Sequence, residues 1–231
     1  MARSKKRGKE RSLFATFLAT SFILGALLGT VLASTWIQGA PVLQLSPGET
    51  YTRSITIVGI DKNTGQGGLA VLTVELRTGS GYLAIAVPPY ENEDTQKAAV
   101  DARNAVELAV NRNLSQVDII ISIENIGPET TITGPSSSAA MAVLMIATIR
   151  ASENMSPNMV RQDAVVSASI DSTGRLKPVG GVAEKYQTVR IAGGYSLFVV
   201  ARTQFGYLPD YPDISIERAS NLEKLASIVL V

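Results

Sequence analysis

The 231-residue chain contains no histidine and no cysteine. The absence of these two residue types excludes Ser-His-Asp and Cys-His catalysis, zinc sites built from imidazole or thiolate ligands, and disulfide bonds. An enzyme of this composition must therefore work with the side chains of Ser, Thr, Tyr, Lys, Arg, Asp and Glu. The hydrophobic fraction of 45% rules out a wholly disordered protein and is sufficient for one buried core.

Positive charge is concentrated at the N-terminus of the chain. Six Lys and Arg side chains against the single Glu10 give residues 1–12 a local charge of +5, although the net charge of the whole chain is only +1. The remainder of the chain is therefore slightly acidic. A body of this charge is not expected to bind nucleic acid.

Residues 13–37 form an uninterrupted apolar segment, and no charged side chain occurs between Ser12 and Glu49. A helix of this length covers about 37 Å and crosses a hydrocarbon core of about 30 Å with some tilt. The basic residues 1–12 directly before it predict a cytoplasmic tail, a signal anchor and an extracytoplasmic domain. Because Val31-Leu32-Ala33 also fits a cleavage pattern, a removed signal peptide is the alternative.

The segment after the apolar run reads as a linker over residues 38–50, followed by one domain over residues 51–231. Strand and helix patterns interleave in this domain, and the first three strands are expected to be antiparallel neighbours. The last helix is expected to begin with a capping box at Ser220 and Glu223. The predicted strands cover 51–60, 69–76, 81–87, 118–124, 164–170 and 195–200, and the predicted helices cover 94–113, 137–150, 184–192 and the C-terminus. This order predicts an α+β class with mixed sheets and packed helices.

Several familiar catalytic signatures are missing from the chain. No serine is followed three residues later by lysine, as in penicillin-binding proteins, and neither GxSxG nor a Walker loop is present. Gly134-Pro135-Ser136, in contrast, leads into the most hydrophobic helix of the domain. Lys185 ends a second distinctive stretch, Pro178-Val179-Gly180-Gly181-Val182-Ala183-Glu184-Lys185.

These two stretches resemble the proteolytic domain of Lon proteases, in which Gly-Pro-Ser carries the catalytic serine and a Pro-hydrophobic-Gly-Gly-x-x-Glu-Lys stretch carries the catalytic lysine. The resemblance runs from about Leu69 through the terminal helix and includes Val160-Arg161-Gln162-Asp163 and Gly174-Arg175-Leu176 in the family order. It implies that Ser136 is the nucleophile, that Lys185 is the general base, and that Ser167 stands where the family has a threonine that hydrogen-bonds the lysine. It also implies a Lon-like fold and ring oligomers of six subunits.

The chemistry of the residues agrees with these roles. A serine hydroxyl needs a base to take its proton, and a lysine can serve only where burial makes its neutral form accessible. Backbone N–H groups at a helix start would stabilise the oxyanion. Taken singly, Ser136 could be only a helix cap and Lys185 only a solvated helix lysine, and Ser137 is the alternative nucleophile if the register shifts by one.

The sequence therefore predicts a membrane-anchored serine endopeptidase that acts on polypeptides without ATP, metal or cofactor. Asp163 is expected either to fix the strand near the lysine or to be only structural, and the loop Gly127 to Thr133 is expected to border the cleft. One alternative is a catalytically silent anchored module of the same fold that binds peptides or scaffolds an assembly. Another is a reversed orientation, with the domain in the cytoplasm beside a separate ATPase.

Overall fold

A computed structural model describes residues 39–61, 64–86, 93–126 and 134–231. Residues Val42–Val231 form one compact unit. The predicted basic tail, the predicted helix at 13–37 and the loop Gly127 to Thr133 lie outside the described residues. Within the described ranges, no helix has the length and apolar character needed to cross a membrane.

The described residues contain nine strands and four α-helices. The strands are β1 (Thr50–Ile60), β2 (Gly67–Thr78), β3 (Leu83–Ala86), β4 (Val117–Ile126), β5 (Ala164–Ser167), β6 (Ser169–Ile170), β7 (Leu176–Lys177), β8 (Leu197–Ala201) and β9 (Ser215–Ala219). The helices are α1 (Glu93–Val110), α2 (Ser138–Ser152), α3 (Val182–Ala192) and α4 (Leu222–Val229), with a 3₁₀ turn at Pro135–Ser137 directly before α2.

Seven of these strands form one mixed sheet in the order β3-β4-β2-β1-β5-β8-β9, and β6 and β7 form a separate antiparallel hairpin. The pairs β1–β2 and β2–β4 are antiparallel, whereas β3–β4, β1–β5, β5–β8 and β8–β9 are parallel. The predicted α+β class with a mixed sheet is confirmed.

The position of β3 differs from the prediction that the first three strands are antiparallel neighbours. Only β1 and β2 pair in this way, whereas β3 lies at the sheet edge beside β4 and runs parallel to it. The chain passes through α1 between β3 and β4, and a helical crossover returns the second strand in the same direction. The Asp118 carboxylate at the start of β4 holds the turn between β2 and β3, because it accepts hydrogen bonds from the N–H groups of Ser80 and Tyr82 at 2.9 and 3.0 Å.

The second half of the predicted linker belongs to the compact unit, which begins at Val42 rather than at Tyr51. Leu43 and Leu45 are buried in the core. The N–H of Leu43 donates a hydrogen bond of 2.9 Å to the carbonyl of Asn113. Leu43 and Leu45 stand at alternate positions, so both side chains can cover the end of the core. The prolines and glycines around them led to the prediction of a linker, but this stretch packs against the domain.

Helix α2 occupies the centre of the domain, as its uniformly apolar sequence predicts. All of its residues from Ser138 to Ile149 are buried, and the helix packs against α1, β1 and β2. A helix that is apolar on every face is stable only where protein surrounds it on every side. The N-terminal end of α2 is consequently held in a fixed place beside the sheet.

The cap of α4 is displaced by one residue from the predicted capping box. Asn221, and not Ser220, is the N-cap, and its side-chain oxygen accepts a hydrogen bond of 2.9 Å from the N–H of Lys224. Asparagine and serine are about equally good N-caps, so the choice between neighbours depends on where the chain leaves β9.

Candidate active site

An open cleft of about 410 Å³ lies where the C-terminal end of β1 meets the first turns of three helices. The segment before α3 and the hairpin strand β6 complete its walls. The described residues that line it are Gly59, Ile60, Asp94, Gly134, Pro135, Ser136, Ser169, Pro178, Val179, Gly180, Gly181 and Lys185.

Ser136 reaches this cleft from the 3₁₀ turn that precedes α2. The turn begins after Gly134, which has a φ of 99° that side-chain-bearing residues rarely adopt. The N–H of Gly134 donates to the hydroxyl of buried Thr95 on α1 at 3.2 Å, which ties the turn to a second helix. Ser136 is half-buried and lines the cleft, so a ligand in the cleft can reach it.

The two serines that follow Ser136 have different surroundings. Ser137 is buried and, unlike Ser136, does not line the cleft within the described residues. Ser138 is fully buried, and its hydroxyl donates to the carbonyl of Pro135 at 2.8 Å and accepts from the N–H of Ile170 at 3.0 Å. Ser138 therefore fixes the turn, and Ser136 is the serine of the three that the cleft exposes.

Lys185 lies one turn into α3 and is only 5% exposed. Helix α3 begins after Gly181, where φ is 64° and a Cβ atom would come within 3.3 Å of the Ile60 side chain. Glycine at this position thus allows the helix start to approach the end of β1. In the described part of the chain, the Lys185 ammonium has no ion pair or hydrogen bond, and desolvation by burial lowers its pKa to about 8.

The structure brings Ser136 and Lys185 into the same cleft, but no hydrogen bond joins them within the described residues. Ser167 ends β5 and is 1% exposed. Its Oγ atom is buried and has no hydrogen-bond partner in the described ranges, so the bond to the lysine that the resemblance implies is not formed here. Strand β5 nevertheless contacts both the 3₁₀ turn of Ser136 and the helix of Lys185.

Gln204, which the sequence patterns do not single out, holds one wall of the cleft. Its buried amide accepts from the N–H of Val179 and donates to the carbonyl of the same residue, both at 2.9 Å. A third bond of 3.1 Å reaches the carbonyl of Phe205. The side chain thus pairs with Val179 as a neighbouring strand would, and it fixes the segment that leads to Gly181 and Lys185.

Asp163 joins β5 to β8. The sequence predicts for it either a role in fixing the strand near the lysine or a purely structural role. Its carboxylate pairs with Arg161 at 2.7 Å and accepts from the hydroxyl of Ser196, and these contacts hold the pKa of Asp163 well below its usual range. The carbonyl of Asp163 accepts from the N–H groups of Ser196 and Leu197 at 3.0 and 3.1 Å. Asp163 therefore fixes the start of β5, the strand that ends in Ser167. Asp163 itself does not line the cleft within the described residues.

The starts of two helices and the turn before a third meet at the cleft. Asp94 in the first turn of α1, Ser136 just before α2, and Gly181 at the start of α3 all line it. Each helix N-terminus carries an effective charge of about +0.5 from its unsatisfied N–H groups. Neither Gly134 nor Gly181 provides a side-chain cap. Among the described residues, no group of three or more acidic side chains is arranged to hold a metal ion.

Comparisons of the chain with protein-family models and with curated proteins find no match. The chemistry of the cleft must therefore be inferred from its own residues. These combine a reachable hydroxyl, a buried amine without a counter-charge and an array of helix N-termini. Such a set can deprotonate an alcohol, stabilise a developing oxyanion and protonate a leaving group.

Proposed function

We propose that this protein is a membrane-anchored serine endopeptidase that hydrolyses polypeptides with Ser136 as nucleophile and Lys185 as general base. The observation that carries the proposal is that these two residues, far apart in the chain, line one cleft. Burial also disfavours the charge of Lys185, so its pKa of about 8 makes the neutral amine available near physiological pH.

In the proposed reaction, the neutral Lys185 amine accepts the Ser136 hydroxyl proton as the Oγ atom attacks the scissile carbonyl carbon. Donors at the helix starts that line the cleft stabilise the resulting oxyanion, and a single such donor is worth about 10²–10³ in rate in measured enzymes. The Lys185 ammonium then protonates the leaving amine, which leaves an acyl group on Ser136. Water attacks this ester with Lys185 again as base and releases a peptide carboxylate.

The finer features of the proposal come from the resemblance to Lon proteases and from the apolar N-terminal segment. The fold is a Lon-like proteolytic domain, Ser167 supports the lysine, and the subunits form a hexameric ring. The segment 13–37 anchors the domain outside the cytoplasm, where ATP is scarce, so hydrolysis is ATP-independent. No metal or cofactor is required for the steps above.

Labelling with a fluorophosphonate probe tests the dyad directly. The full-length protein should become covalently labelled, and Ser136→Ala and Lys185→Met should each abolish labelling. The matched controls Ser220→Ala and Lys224→Met, which change exposed residues outside the cleft, should be labelled like the wild type. The labelling rate should rise with pH and level off above about 8, because only the neutral amine of Lys185 is a base.

Two results would contradict the proposal in different ways. Labelling that survives both Ser136→Ala and Lys185→Met would remove this dyad from the reaction. A wild type that folds and binds peptides but is never labelled or catalytically active would favour the silent peptide-binding module instead.

A further inference from the structure

The ammonium of Lys185 is a buried cation without a compensating anion in the described part of the chain. Burying an isolated charge is costly, and proteins normally pair such a group or neutralise it. At neutral pH most of Lys185 is still protonated, since its pKa is about 8. At neutral pH the cleft therefore holds a cation that lacks a partner and favours an anionic ligand.

Helix polarity strengthens this preference at the same place. Helices α1 and α3 each direct an N-terminal turn to the cleft wall, and each of them is longer than two turns. Helix N-termini bind anions through their free N–H groups and through the helix dipole. The lysine and the helices are independent features, and both favour a ligand with a negative charge.

Two carboxylates limit how much negative charge the cleft accepts. Besides Lys185, Asp94 is the one charged residue among the described lining residues, and it already takes part in an interaction of its own. Glu184, in the first turn of α3, is exposed, but its Oε2 atom lies 3.9 Å from the position a Cβ atom on Gly181 would take, so it also places negative charge at the edge of the cleft. The strands that pack on α3 near the cleft, the C-terminal half of β1 and all of β5, carry no charged side chain. A singly charged carboxylate fits this balance better than a multiply charged phosphate.

The shape of the cleft indicates more than a free ion. A volume of about 410 Å³ lies within the range of about 300–1,000 Å³ that is typical of organic-ligand sites. Ile60, Pro178 and Val179 form an apolar part of its wall. There is room for the last residues of a peptide, with an apolar side chain against this wall and a carboxylate near the lysine.

We propose that the cleft binds the C-terminal carboxylate of a polypeptide that ends in an apolar residue, with the carboxylate placed between the Lys185 ammonium and the first turn of α3. This binding requires neither Ser136 nor hydrolysis, so it is separate from the proposed peptidase activity. If the peptidase reaction occurs, its acyl-side product ends in such a carboxylate. Free peptide acids should then inhibit the enzyme more strongly than the corresponding amides.

Isothermal titration calorimetry on the full-length Ser136→Ala variant in detergent tests the proposal without turnover. The probes are N-acetyl-Ala-Ala-Leu as the free acid and the same peptide as its C-terminal amide. A hydrogen bond to a charged group corresponds to at least about a tenfold difference in affinity, so the acid should bind at least tenfold more tightly than the amide. Adding Lys185→Met should make the two affinities equal, whereas adding Lys224→Met, an exposed lysine outside the cleft, should leave the ratio unchanged.

Asp94→Asn and pH provide two further arms of the experiment. Asp94→Asn removes the like charge from the cleft and should tighten binding of the acid but not of the amide. On unchanged Lys185, the preference for the acid should shrink from pH 7 to pH 9.5 as the ammonium loses its proton. This arm remains decisive even if Lys185→Met fails to fold.

Three outcomes would overturn the proposal: equal binding of acid and amide to Ser136→Ala, a preference for the acid that persists in Lys185→Met or at pH 9.5, and acetate or inorganic phosphate binding as tightly as the peptide acid. The last outcome would make the cleft a simple ion site. Fluorophosphonate labelling reports separately on the peptidase. A protein that binds the acid selectively but is never labelled would refute the peptidase and leave the carboxylate site standing.

Discussion

At the residue scale, folding alone does not explain two buried polar groups, one in the cleft and one at the end of β5. The Lys185 ammonium is desolvated without an ion pair in the described residues, and the Ser167 hydroxyl is buried there without a hydrogen bond. Each of these groups lowers the free energy of unfolding compared with a well-packed apolar side chain. Groups with perturbed pKa values in a cleft are characteristic of functional sites, where stability is exchanged for reactivity.

Replacing Lys185 by methionine should stabilise the protein at neutral pH. The pKa of Lys185 falls from 10.5 to about 8 on burial, so below pH 8 the folded state carries the full cost of a buried charge, on the order of 3 kcal/mol. Between pH 8 and 10.5 the unfolded chain binds more protons than the folded one, and wild-type stability rises with pH relative to the variant. Urea unfolding at pH 7 and pH 10.5 should show a large difference between the two proteins only at pH 7. A difference independent of pH would show that charge burial is not its cause.

Ser167→Ala should separate function from stability. Because the hydroxyl has no hydrogen-bond partner within the described ranges, its removal should leave the Tm unchanged or slightly raised. If the hydroxyl supports Lys185 during catalysis, the rate of fluorophosphonate labelling should nevertheless fall.

Ser138→Ala is the matched control for this comparison. The Ser138 hydroxyl makes two hydrogen bonds that fix the turn before α2, so its loss should cost about 1–3 kcal/mol of stability. A loss of similar size in Ser167→Ala would mean that Ser167 is also bonded in solution.

At the scale of secondary-structure elements, the start of each helix determines what the helix can do. Helix α3 begins beside the cleft after Gly181, which provides no side-chain cap, whereas the first N–H groups of α2 already donate to the carbonyls of Pro135 and Ala168. Helix α4 begins elsewhere, and Asn221 caps it. The side-chain cap of α4 thus has a structural role, whereas the start of α3, which has no side-chain cap, belongs to the candidate functional site.

The position of the α4 cap leads to a prediction about stability. Asn221→Ala should lower the free energy of unfolding by about 1 kcal/mol, because the N–H of Lys224 loses its acceptor. Ser220→Ala, one residue earlier, should have little effect. Urea unfolding of the two variants measures the difference, and equal losses would place the cap on both residues.

At the scale of the whole molecule, the sheet places the catalytic candidates rather than merely supporting them. Strand β1 ends at the cleft with Gly59 and Ile60, and its parallel neighbour β5 ends with Ser167. The carboxyl ends of these two strands therefore lie toward the same edge of the sheet, near the 3₁₀ turn that carries Ser136 and the start of the helix that carries Lys185. Chain-distant residues meet because parallel strands bring their ends together.

The proposed topology predicts that the domain is exposed on the outer side of the cell membrane. A protease added to intact cells that lack an outer membrane should degrade residues 51–231. The purified folded protein, treated in the same way, is the control, and the two samples should be degraded to the same extent. A cytoplasmic marker protein must stay intact in the same sample. A domain that is protected in intact cells but cleaved after lysis would reverse the orientation and revive the alternative of a cytoplasmic domain with a separate ATPase.

Much of the fold could be predicted because it is local. The period of apolar residues located the helices α1 and α2, and alternating patterns located β1, β2 and β4. The place of β3 could not be read in this way, since pairing partners are chosen by how the chain crosses the sheet. The burial of Leu43 and Leu45 could not be predicted either, because two leucines are too few to form a strand or helix pattern.

The candidate site divides in the same way. Ser136 and Lys185 stand in ordered motifs, which is why the sequence identifies them. Gln204 and Ser169 carry no motif, and their positions at the cleft depend on contacts with Val179 and on the β6–β7 hairpin. Gln204 is distinguished from the other described glutamines by its burial. Burial depends on the assembled core, so the local sequence around Gln204 does not show it.

The sequence by itself determined the chemical options of this protein. Without histidine or cysteine, only hydroxyl, amine, guanidinium and carboxylate groups are available, and the ordered motifs select Ser136 and Lys185 among them. Only the tertiary structure decided that these groups share a cleft, that the amine is desolvated and that the first turn of α1 lies at the same cleft. The physical reason is that composition and local pattern are properties of neighbours in the chain, whereas desolvation and electrostatic potential depend on every element that packs around a group.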